Sequence, residues 1–462
     1  MRILFINPQG FGTNEYPPLG LLYLASIAKK NDYQVDFFDA GVVKNKLSNA
    51  IEYVKNKNPD VVAFTLYTVN LIDSFALIKN ISELKPKPVI VVGGPHATAL
   101  PEKTLQECPE IDYLIYGEGE NTFIELLDAL EKGGEVKNIK GIYYHSNGII
   151  VHTESRSYIK NLDSLPFPSY DIIQKYHYPM DMVVKGKRVV TVITSRGCPY
   201  HCAFCNKAVF GDEYRRRSPK NVVSEIKELI NKGVDEIYFV DDLFAFNKKW
   251  LSEFYKELDK EKIRIPWKCL GRVGTLGYND FKAMKDHGCY VIELGIESGN
   301  DKILRDINKK INIKEAEKTV KEAKKAGLAV HTFWILGHRL DTEETIKQTI
   351  NTAKRFNSDF VSFFILVPFP GTEVYKFVPK ELKYNWKRIS YYHKDTLPIS
   401  ICRVSPKRLI ELEEKAFLTY FLRFRYIIDN ILFTKSGLRS IKIKMMLWRL
   451  RMYFKKISKW LK

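Results

Sequence analysis

The feature that most constrains the fold of this 462-residue chain is an alternation of short apolar runs with amphipathic stretches. In the first 135 residues the runs have the length and composition of buried strands, and stretches such as Leu19 to Lys30 have helical periodicity. Alternating strands and helices form parallel sheets with helical crossovers, so we predict an α/β fold whose first domain, 1–135, is a doubly wound, Rossmann-like sheet. The five predicted strands are Ile3 to Asn7, Gln34 to Phe38, Val61 to Leu66, Val89 to Val92 and Tyr113 to Tyr116.

The same alternation resumes near Arg188 and continues to about residue 400. Residues 136–188 are predicted to be a linker with one β-hairpin, because Asn147-Gly148 is a favoured two-residue hairpin turn. Six further strands with helical patterns between them predict a partial (β/α)6 barrel at 189–400, in which active-site groups follow the carboxyl ends of the strands. These strands are Val189 to Thr194, Glu236 to Val240, Trp267 to Leu270, Tyr290 to Leu294, Ala329 to Leu336 and Phe360 to Val367.

Three cysteines follow the first strand of the predicted barrel. They are Cys198, Cys202 and Cys205, at the spacing C-x3-C-x2-C. Iron-sulfur clusters are normally held by four thiolates. A loop with three thiolates therefore predicts a 4Fe-4S cluster in which one iron is free to bind a small molecule.

A zinc site and a purely structural loop are the alternatives to a cluster at these cysteines. A zinc site usually offers two C-x2-C pairs or histidines at metal spacing, and His201 could be such a ligand. A structural loop is possible, although three thiols within eight residues argue against a chance arrangement. The remaining cysteines are scattered singly and offer zinc no second pair; they are Cys108, Cys269, Cys289 and Cys402.

The segment from Thr194 to Cys205 resembles the signature of the radical S-adenosylmethionine (SAM) enzymes, with Gly197 and Pro199 around the first cysteine and Phe204 before the third. In that family the open iron chelates the amino and carboxylate groups of SAM. One electron from the cluster then cleaves SAM to a 5′-deoxyadenosyl radical, which abstracts hydrogen from an unactivated carbon. The resemblance implies a 4Fe-4S cluster and SAM as cofactors, with Phe204 in the SAM-binding site.

Residues that follow later barrel strands are candidates to bind SAM. Its ammonium needs acceptors, its carboxylate needs a cation, and its ribose hydroxyls are bound well by a carboxylate. Asp241 and Asp242 are assigned to the ammonium and Arg272 to the carboxylate. Glu297 with Gly295 is assigned to the ribose and the adenine edge. For each charged residue, a surface or structural charge is the alternative.

Three loop segments of the first domain resemble those of radical SAM proteins that carry a cobalamin-binding domain: Pro-Pro-Leu-Gly-Leu, Gly-Gly-Pro-His and Gly-Glu-Gly-Glu. The resemblance covers nearly the first 400 residues and implies cobalamin as a third cofactor; ordinary βα turns are the alternative. The D-x-H-x-x-G segment that supplies a lower ligand in some cobalamin proteins is absent, since no histidine precedes His96. The implied cobalamin-binding residues are Pro18, Leu19, Gly20, Thr68, Gly93, Gly94, His96, Gly117, Glu118, Gly119 and Glu120.

The last sixty residues carry most of the net charge. Between Arg403 and Lys462 there are 16 Lys and Arg against 4 Asp and Glu, which is +12 of the +19 of the chain. Leu409 to Leu432 and Ile441 to Leu461 have helical patterns, so 401–462 is predicted to be a helical basic C-terminal extension. Basic helices with an apolar face are typical of proteins that lie on an anionic membrane surface. A helical pair packed on the barrel is the alternative, and tRNA binding ranks below both because no RNA-binding module is recognisable.

These features together predict an enzyme. The expected reaction is cobalamin-dependent methylation of an unactivated carbon, which the resemblance implies. The alternatives are a radical cyclisation or rearrangement of a lipid-like or tetrapyrrole-like substrate, as in the anaerobic Mg-protoporphyrin cyclase, and a cluster-bearing regulatory or binding protein. The expected partners are a small-molecule or lipid-like substrate and an external electron donor of the ferredoxin or flavodoxin type; nucleic acid is not expected.

The sequence also carries an expectation about compartment. Met1-Arg2 runs straight into an apolar strand, and no segment approaches ~18 uninterrupted apolar residues. An odd number of cysteines, seven, favours a reducing compartment, which an oxidation-sensitive cluster also requires. We therefore expect an anaerobic, cytoplasmic enzyme, with peripheral contact to a membrane if the basic helices bind lipid.

Overall fold

The computed structural model describes residues 1–8, 16–43, 46–178, 183–244, 246–389, 396–432 and 438–447. Two sheets of mostly parallel strands organise them, one before and one after residue 188. All eleven predicted strands are present, and their ends differ from the prediction by no more than three residues. The predicted α/β fold class is confirmed.

The first sheet contains strands β1 (Arg2–Asn7), β2 (Gln34–Asp39), β3 (Val61–Thr65), β4 (Val89–Gly93), β5 (Tyr113–Ile115), β6 (Ile142–Ser146) and β7 (Ile149–His152). Its helices are α1 (Leu19–Lys30), α2 (Lys46–Lys57), α3 (Leu71–Ser82), α4 (Pro95–Ala99), α5 (Pro101–Glu107) and α6 (Glu120–Lys132). The strand order is β2-β1-β3-β4-β5-β6-β7, with β1 to β5 parallel. This is the order of a doubly wound sheet, whose direction of progress reverses between β1 and β3.

The predicted hairpin is present, and it belongs to the first sheet. β6 pairs antiparallel with β5, and β7 pairs antiparallel with β6. Asn147 and Gly148 form its turn with φ angles of 51° and 79°, which this tight turn requires at both positions. The hairpin in the predicted linker therefore extends the edge of the first sheet.

The second sheet contains six parallel strands, β8 (Val189–Val192), β11 (Glu236–Phe239), β12 (Trp267–Gly271), β13 (Cys289–Glu297), β14 (Ala329–Leu336) and β15 (Phe360–Ile365). The short strands β9 (Ser195–Arg196) and β10 (Arg215–Arg216) pair separately with each other. Its helices are α7 (Pro219–Asn231), α8 (Lys248–Lys260), α9 (Tyr278–Asp286), α10 (Asp301–Asp306), α11 (Ile313–Lys325), α12 (Glu343–Phe356), α13 (Pro406–Phe421) and α14 (Phe424–Ile427). Each strand pairs with its neighbour in sequence, from β8 at one edge to β15 at the other, as in a partial (β/α)6 barrel.

Polar caps place the start of most barrel helices close to the carboxyl ends of the strands. Ser218, Asn247, Asn312, Thr342 and Ser405 each accept a hydrogen bond from a backbone N–H in the first turn of the helix that follows. Such caps satisfy donors that a helix leaves unpaired, and each contributes about 1 kcal/mol. The chain therefore turns sharply at this end of the barrel, which leaves the strand ends accessible.

Alternation along the strands of the first sheet divides the apolar residues between two cores. Ile3 and Phe5 of β1 face a core that continues through α1 and α6 into the barrel. Leu4 and Ile6 face the other core, which also contains Trp386 and other residues from the segment after β15. The chain thus returns from the end of the barrel to cover the first sheet, and the two domains share both cores.

The helix α13 packs on the barrel in the place of the sixth barrel helix. Its residues Leu409, Phe417 and Tyr420 are buried, and its N-terminal turn is tied to α12 by the Arg408–Glu343 ion pair. The predicted helix from Leu409 to Leu432 is shorter than expected, because the chain is extended at Arg423 (ψ 133°). That turn lets the Arg423 guanidinium donate to the Lys354 carbonyl at the end of α12.

Residues 439–447 are helical, as expected, while the rest of the second predicted C-terminal helix lies outside the described residues. Leu438, Ile441 and Met445 are buried, and the ammonium group of Lys442 donates to Asp359 Oδ1 at 2.6 Å. In the described part of the C-terminal extension, most apolar side chains therefore pack on the barrel, as the alternative to membrane binding predicts. In the described part of the chain, no helix is both long enough and apolar enough to span a bilayer.

Shortening Leu409 tests the packing of α13. Leu409 is 1% exposed and packs against Gly337, so Leu409→Ala should lower the free energy of unfolding by about 2–5 kcal/mol. Leu422→Ala is the matched control, because Leu422 is 54% exposed; a change within about 0.5 kcal/mol is expected there. Urea unfolding of both variants measures the difference, and equal effects would contradict the assigned packing.

Candidate functional site

The three cysteines lie on a loop, residues 197–214, that closes at the carboxyl end of β8. Pairing of β9 with β10 joins the two ends of this cysteine loop. The Cys205 N–H donates to the Cys202 carbonyl at 3.0 Å, which forms a turn between the second and third cysteines. Gly197, with φ 81°, allows the loop to begin, because a Cβ there would clash with the backbone of Glu213.

Segments from two other parts of the chain hold the cysteine loop in place. The Ala203 N–H donates to the Ile307 carbonyl at 2.9 Å, and the Val374 N–H donates to the Ala203 carbonyl at 3.1 Å. Asn206 Nδ2 donates to the Pro370 carbonyl at 2.9 Å. The loop is therefore attached to the segments that follow β13 and β15, across the barrel mouth from β8.

The donor set of this loop fits an iron-sulfur cluster. All three cysteines are free thiols, Cys198 and Cys202 half-buried and Cys205 exposed. In such a cluster each thiolate binds a different iron. Among the described residues, no group of three or more His, Cys, Asp and Glu side chains is arranged to hold a single metal ion. His201, the possible additional ligand, is exposed and lies beside Lys207 and Asp212.

Asp241 supports the base of the cysteine loop. It is 1% exposed, and its Oδ1 accepts hydrogen bonds from the Thr194 N–H, the Thr194 hydroxyl and the Ser195 hydroxyl at 2.6–2.9 Å. Burial raises the pKa of Asp241 to about 6. Its Oδ2 has no partner. One oxygen is thus structural, and the other is the atom left for the predicted contact with SAM; Asp242 beside it is exposed.

Arg272, predicted to bind the SAM carboxylate, contacts the cysteine loop. Its Nη1 lies 3.9 Å from Cys202 Sγ, and its guanidinium carbon lies 3.5 Å from the centroid of the Tyr200 ring. Its Nη2 donates to the Lys309 carbonyl. These contacts hold Arg272 against the first half of the loop. The structure therefore gives Arg272 a supporting contact with the loop, and its contact with SAM stays a prediction.

Glu297 and Gly295 are brought together with a residue that sequence reasoning missed. Lys309 Nζ lies 2.7 Å from Glu297 Oε1, and both side chains are buried. A side chain at Gly295 would collide with this pair. Glu297 has a φ of 71° at an irregularity in the pairing of β13 with β14, and non-glycine residues in this conformation often mark functional sites. Lys309 directly follows a turn and belongs to no periodic pattern, so no sequence signal indicated it.

His338 is a second residue that sequence reasoning left without a role. It is fully buried, its ring centroid lies 6.1 Å from that of Phe204, and neither ring nitrogen has a hydrogen-bond partner. Burial lowers the pKa of His338 to about 4, so the ring is neutral at physiological pH. Asp341 shapes this loop, since its Oδ2 accepts the N–H groups of Gly337 and His338 at 2.9 Å each. A polar residue directly after a long apolar strand was the available signal.

The barrel interior contains a buried charged cluster below the mouth. Lys268 of β12 and Glu293 of β13 are at most 1% exposed, and Lys268 Nζ lies 3.5 Å from Glu293 Oε1. The Tyr238 hydroxyl donates to Glu293 Oε2 at 2.6 Å, and His331 Nδ1 lies 3.4 Å from Glu293 Oε1. Burial alone would raise the pKa of Glu293, but Lys268, His331 and Tyr238 outweigh it and lower the pKa. Charged residues inside two predicted apolar strands were a signal for this cluster.

A cleft opens beyond the carboxyl ends of β3, β4 and β5, where ligands bind to doubly wound sheets. Its volume is about 750 Å³, counting the solvent space at its mouth. One wall belongs to the first domain, and the other is formed by Ile193, Arg196, Val209 and Phe210. Seven of the residues predicted to bind cobalamin line it: Gly20, Gly93, Gly94, Gly117, Glu118, Gly119 and Glu120.

The other four residues predicted to bind cobalamin lie elsewhere. Leu19 is buried in the core, and the Pro18 carbonyl accepts hydrogen bonds from the first turn of α1. Thr68 Oγ1 lies 2.9 Å from His96 Nδ1, and the His96 ring packs edge-on against Trp386 at 4.9 Å. Burial lowers the pKa of His96 to about 4, and its Nε2 has no partner. The structure thus separates a Thr68–His96 pair from the cleft.

Four buried charges join the cleft to the cysteine loop; we call them the interdomain ion cluster. Arg196 donates to Glu118 Oε1 at 2.9 Å and to Glu120 Oε1 at 2.5 Å. Arg215 Nη1 donates to both oxygens of Glu118, at 2.9 and 2.8 Å. Burial alone would lower the pKa of Arg196, but the charges of Glu120 and Glu118 outweigh it and raise the pKa. Since β9 and β10 carry the arginines, the cluster fixes both ends of the cysteine loop against the first domain.

Two protein-family models match separate parts of the chain. Residues 192–353 match the radical SAM superfamily. Residues 12–127 match the B12 binding domain. The first match includes the cysteine loop, and the second includes β2 to β5 and most of the residues that line the cleft.

Similar proteins cover nearly the whole chain. It is 36% identical over 443 residues to an uncharacterized methyltransferase from Pyrococcus horikoshii, across 93% of this chain and 95% of that protein. It is 30% identical over 395 residues to the anaerobic magnesium-protoporphyrin IX monomethyl ester cyclase of Rubrivivax gelatinosus, across 81% of this chain and 70% of that protein. Its fold is similar to that of the radical SAM methyltransferase TsrM from Kitasatospora setae, solved with cobalamin and a [4Fe-4S] cluster bound (TM-score 0.66, 16% identity, 81% of this chain and 73% of that chain).

Removal of one charge tests the interdomain ion cluster. Glu118→Gln leaves Arg196 and Arg215 with too little compensating charge, so the free energy of unfolding should fall by about 3–5 kcal/mol. Glu125→Gln is the matched control, because Glu125 lies on the neighbouring helix α6, is 48% exposed, and forms with Arg156 a surface pair that contributes little. Urea unfolding of both variants checks the expectation, and a small effect at Glu118 would contradict it.

Asp341 should give the stability a measurable pH dependence. Burial raises the pKa of Asp341 from 3.8 to about 6. The contribution of Asp341 to the free energy of unfolding is therefore complete below pH 3.8 and is lost as the pH rises through 6. Asp341→Asn removes this loss. As the pH rises from 3.8 to above 6, the free energy of unfolding of the variant should therefore increase by about 3 kcal/mol relative to that of the wild type. Urea midpoints measured across this pH range test it. Asp286→Asn, at an exposed position on α9, is the control and should show no such trend.

Proposed function

This chain belongs to the radical SAM superfamily, among the members that carry a B12-binding domain, and on that basis we propose that it is a cobalamin-dependent methyltransferase of an unactivated carbon in a small-molecule substrate. The relative at 36% identity over nearly the full length is named a methyltransferase, which favours methyl transfer. The cofactors are then a 4Fe-4S cluster, SAM and cobalamin. A reductant of the ferredoxin or flavodoxin type would supply electrons.

The observation that carries this proposal is the wall that the cleft and the cysteine loop share. Val209 and Phe210 line the cleft and belong to the cysteine loop itself, and Arg196 directly precedes it. A corrinoid in the cleft and a cluster on the three cysteines would therefore lie on opposite sides of one short loop. Two cofactors that must act on the same substrate carbon require this proximity.

When bound, the cluster and SAM supply a 5′-deoxyadenosyl radical and the corrinoid supplies a methyl group. Cys198, Cys202 and Cys205 hold the cluster in this proposal. The free Oδ2 of Asp241 and the exposed Asp242 accept hydrogen bonds from the SAM ammonium. The Glu297–Lys309 pair borders the ribose, where Glu297 accepts hydroxyl hydrogen bonds and Lys309 holds its carboxylate in place.

The cleft offers backbone and glycine surface to cobalamin. Gly93, Gly94, Gly117 and Gly119 line it without side chains, which permits close approach of a large ligand. The described residues that line the cleft include no histidine. His96 is buried against Trp386, so we propose that cobalamin binds without a histidine ligand from the described residues of the cleft.

A radical cyclase is the second candidate, and the 30% identity to the Rubrivivax gelatinosus cyclase favours it. The buried Lys268–Glu293 pair inside the barrel suits a substrate with polar or charged groups in either case. Release of S-adenosylhomocysteine separates the candidates. A methyltransferase that recharges cobalamin from SAM produces it, whereas a cyclase does not need to.

The decisive experiment is anaerobic purification with cobalamin supplied, followed by reduction with dithionite in the presence of SAM. We expect iron-sulfur and cobalamin absorption in one protein, formation of 5′-deoxyadenosine, and methylation of cob(I)alamin with release of S-adenosylhomocysteine. Cys202→Ala should abolish the cluster absorption and 5′-deoxyadenosine formation, because each thiolate holds a separate iron.

Cys402→Ala is the matched control, since Cys402 is a half-buried thiol that lies outside the cysteine loop. It should retain both cofactors and both products. Cluster absorption that survives in Cys202→Ala would refute the ligand assignment. A protein that binds the cluster but neither cobalamin nor SAM would refute the proposed enzyme.

A further inference from the structure

The end of α13 and the short helix α14 lie at the end of the barrel opposite the cysteine loop. The Tyr420 hydroxyl donates to the Ser358 carbonyl at 2.8 Å, and the Tyr426 hydroxyl donates to the Asp359 carbonyl at 2.9 Å. Ser358 and Asp359 belong to the turn that leads into the N-terminal end of β15. In a barrel of parallel strands, that end is the face away from the strand carboxyl ends, where the cysteine loop sits.

Apolar side chains are exposed at this face although the helices around them are well packed. Phe424 is 79% exposed, the largest value for any large hydrophobic side chain in the described part of the chain. Leu422 is 54% and Leu432 is 52% exposed. Tyr420 and Tyr426, on either side of Leu422 and Phe424, are fully buried and hold this part of the backbone through their hydroxyl groups. Leu422 and Phe424 are therefore presented on a backbone that buried tyrosines hold in place, and the core does not use their side chains.

Positive charge surrounds these side chains. Arg425 is 75% exposed, and Lys415 is exposed on α13. Burial and the nearby charges of Arg423 and Lys415 lower the pKa of Lys354 at the end of α12, so these cations lie within electrostatic range of one another. Asp429 pairs with Arg425 at 3.5 Å and offsets only part of this charge. The surface combines apolar tips with an excess of cations.

We propose that this surface, which we call the basal surface, docks on an anionic lipid membrane. Phe424 and Leu422 would enter the boundary between headgroups and acyl chains, and Arg425 and Lys415 would contact anionic headgroups. The net charge of +12 between Arg403 and Lys462 adds long-range attraction between the protein and an anionic membrane. The excess of cations and the exposed apolar side chains support an anionic membrane as the binding partner over a neutral membrane. The inference concerns a different surface from the cofactor sites and does not depend on the reaction.

The position of the basal surface has a consequence for the substrate. Because it lies opposite the cysteine loop, docking turns the barrel mouth away from the bilayer. This consequence rests on the proposed function, which places the active site at the mouth: the substrate reaches it from the aqueous side, even when the enzyme is bound to a membrane. This orientation favours a water-soluble or carrier-bound substrate over a lipid taken directly from the bilayer beneath.

Flotation of the full chain with vesicles tests the docking. We expect the protein to float with phosphatidylcholine vesicles that contain phosphatidylglycerol, to float less with phosphatidylcholine alone, and to be released at high salt. The double substitution Leu422→Ser with Phe424→Ser should weaken partitioning about tenfold or more, because it removes the apolar contact. Phe377→Ser is the matched control and should leave partitioning unchanged, because Phe377 is a 52% exposed phenylalanine that lies beside Arg339, near the barrel mouth.

Several outcomes would overturn the proposal. One is equal flotation with neutral and anionic vesicles. Another is an equal loss of vesicle partitioning in the double variant and in Phe377→Ser. A third is binding of a tRNA probe without binding to vesicles. Dimerisation that depends on Phe424, without vesicle binding, would do the same. Circular dichroism of each variant confirms that folding is retained. A failure of cofactor binding in the enzyme assays would leave these results unaffected.

Fluorescence measures the orientation separately. Phe424→Trp should be quenched by vesicles with brominated acyl chains, measured as the difference from the wild type. Phe377→Trp, at the opposite end of the barrel, should not be quenched. Quenching at Phe377→Trp and none at Phe424→Trp would show that the mouth faces the bilayer and would reject the basal surface.

Discussion

The buried contact between Arg196, Arg215, Glu118 and Glu120 is the interaction on which the arrangement of this molecule depends. The two arginines belong to the short strands that begin and end the cysteine loop, and the two glutamates begin α6 of the first domain or directly precede it. Four charges removed from water are tolerated only when each is paired, so the two domains cannot separate without leaving charges uncompensated. The geometry of the cysteine loop is thereby linked to the geometry of the cleft.

The two ends of the barrel carry different kinds of residues. At the carboxyl ends of the strands, polar caps turn the chain sharply, and the cysteine loop is held by segments that follow β13 and β15. At the other end, tyrosine hydroxyls fasten the C-terminal helices to the turn before β15. Catalytic candidates collect at the first end, and exposed apolar and basic side chains collect at the second. The direction of the parallel strands produces this separation, because every strand presents its carboxyl end to the same face.

The candidate site was predicted in outline and revised in detail. The positions of Asp241 and Arg272 after successive barrel strands placed both at the mouth, yet most of their observed contacts support the cysteine loop. Lys309 was not predicted, because it joins the site through a segment that has no periodic pattern, whereas His338 follows a predicted strand but was given no role. The assignment of Thr68 and His96 to cobalamin stays a prediction, and the structure packs the His96 ring against Trp386, which lies almost 300 residues further along the chain. No local pattern could have indicated that contact.

The sequence by itself determined the order and type of the strands, the α/β class, the cysteine loop and the glycine-rich turns. These follow from periodicity, from the special conformations of glycine and from the chemistry of thiols, all of which act over a few residues. Only the tertiary structure decided that Glu118 and Glu120 pair with Arg196 and Arg215, that the segment after β15 returns to the first sheet, and that α13 takes the place of the sixth barrel helix. Those contacts depend on the burial of charges and apolar surface between distant segments, and a linear pattern does not encode which segments meet.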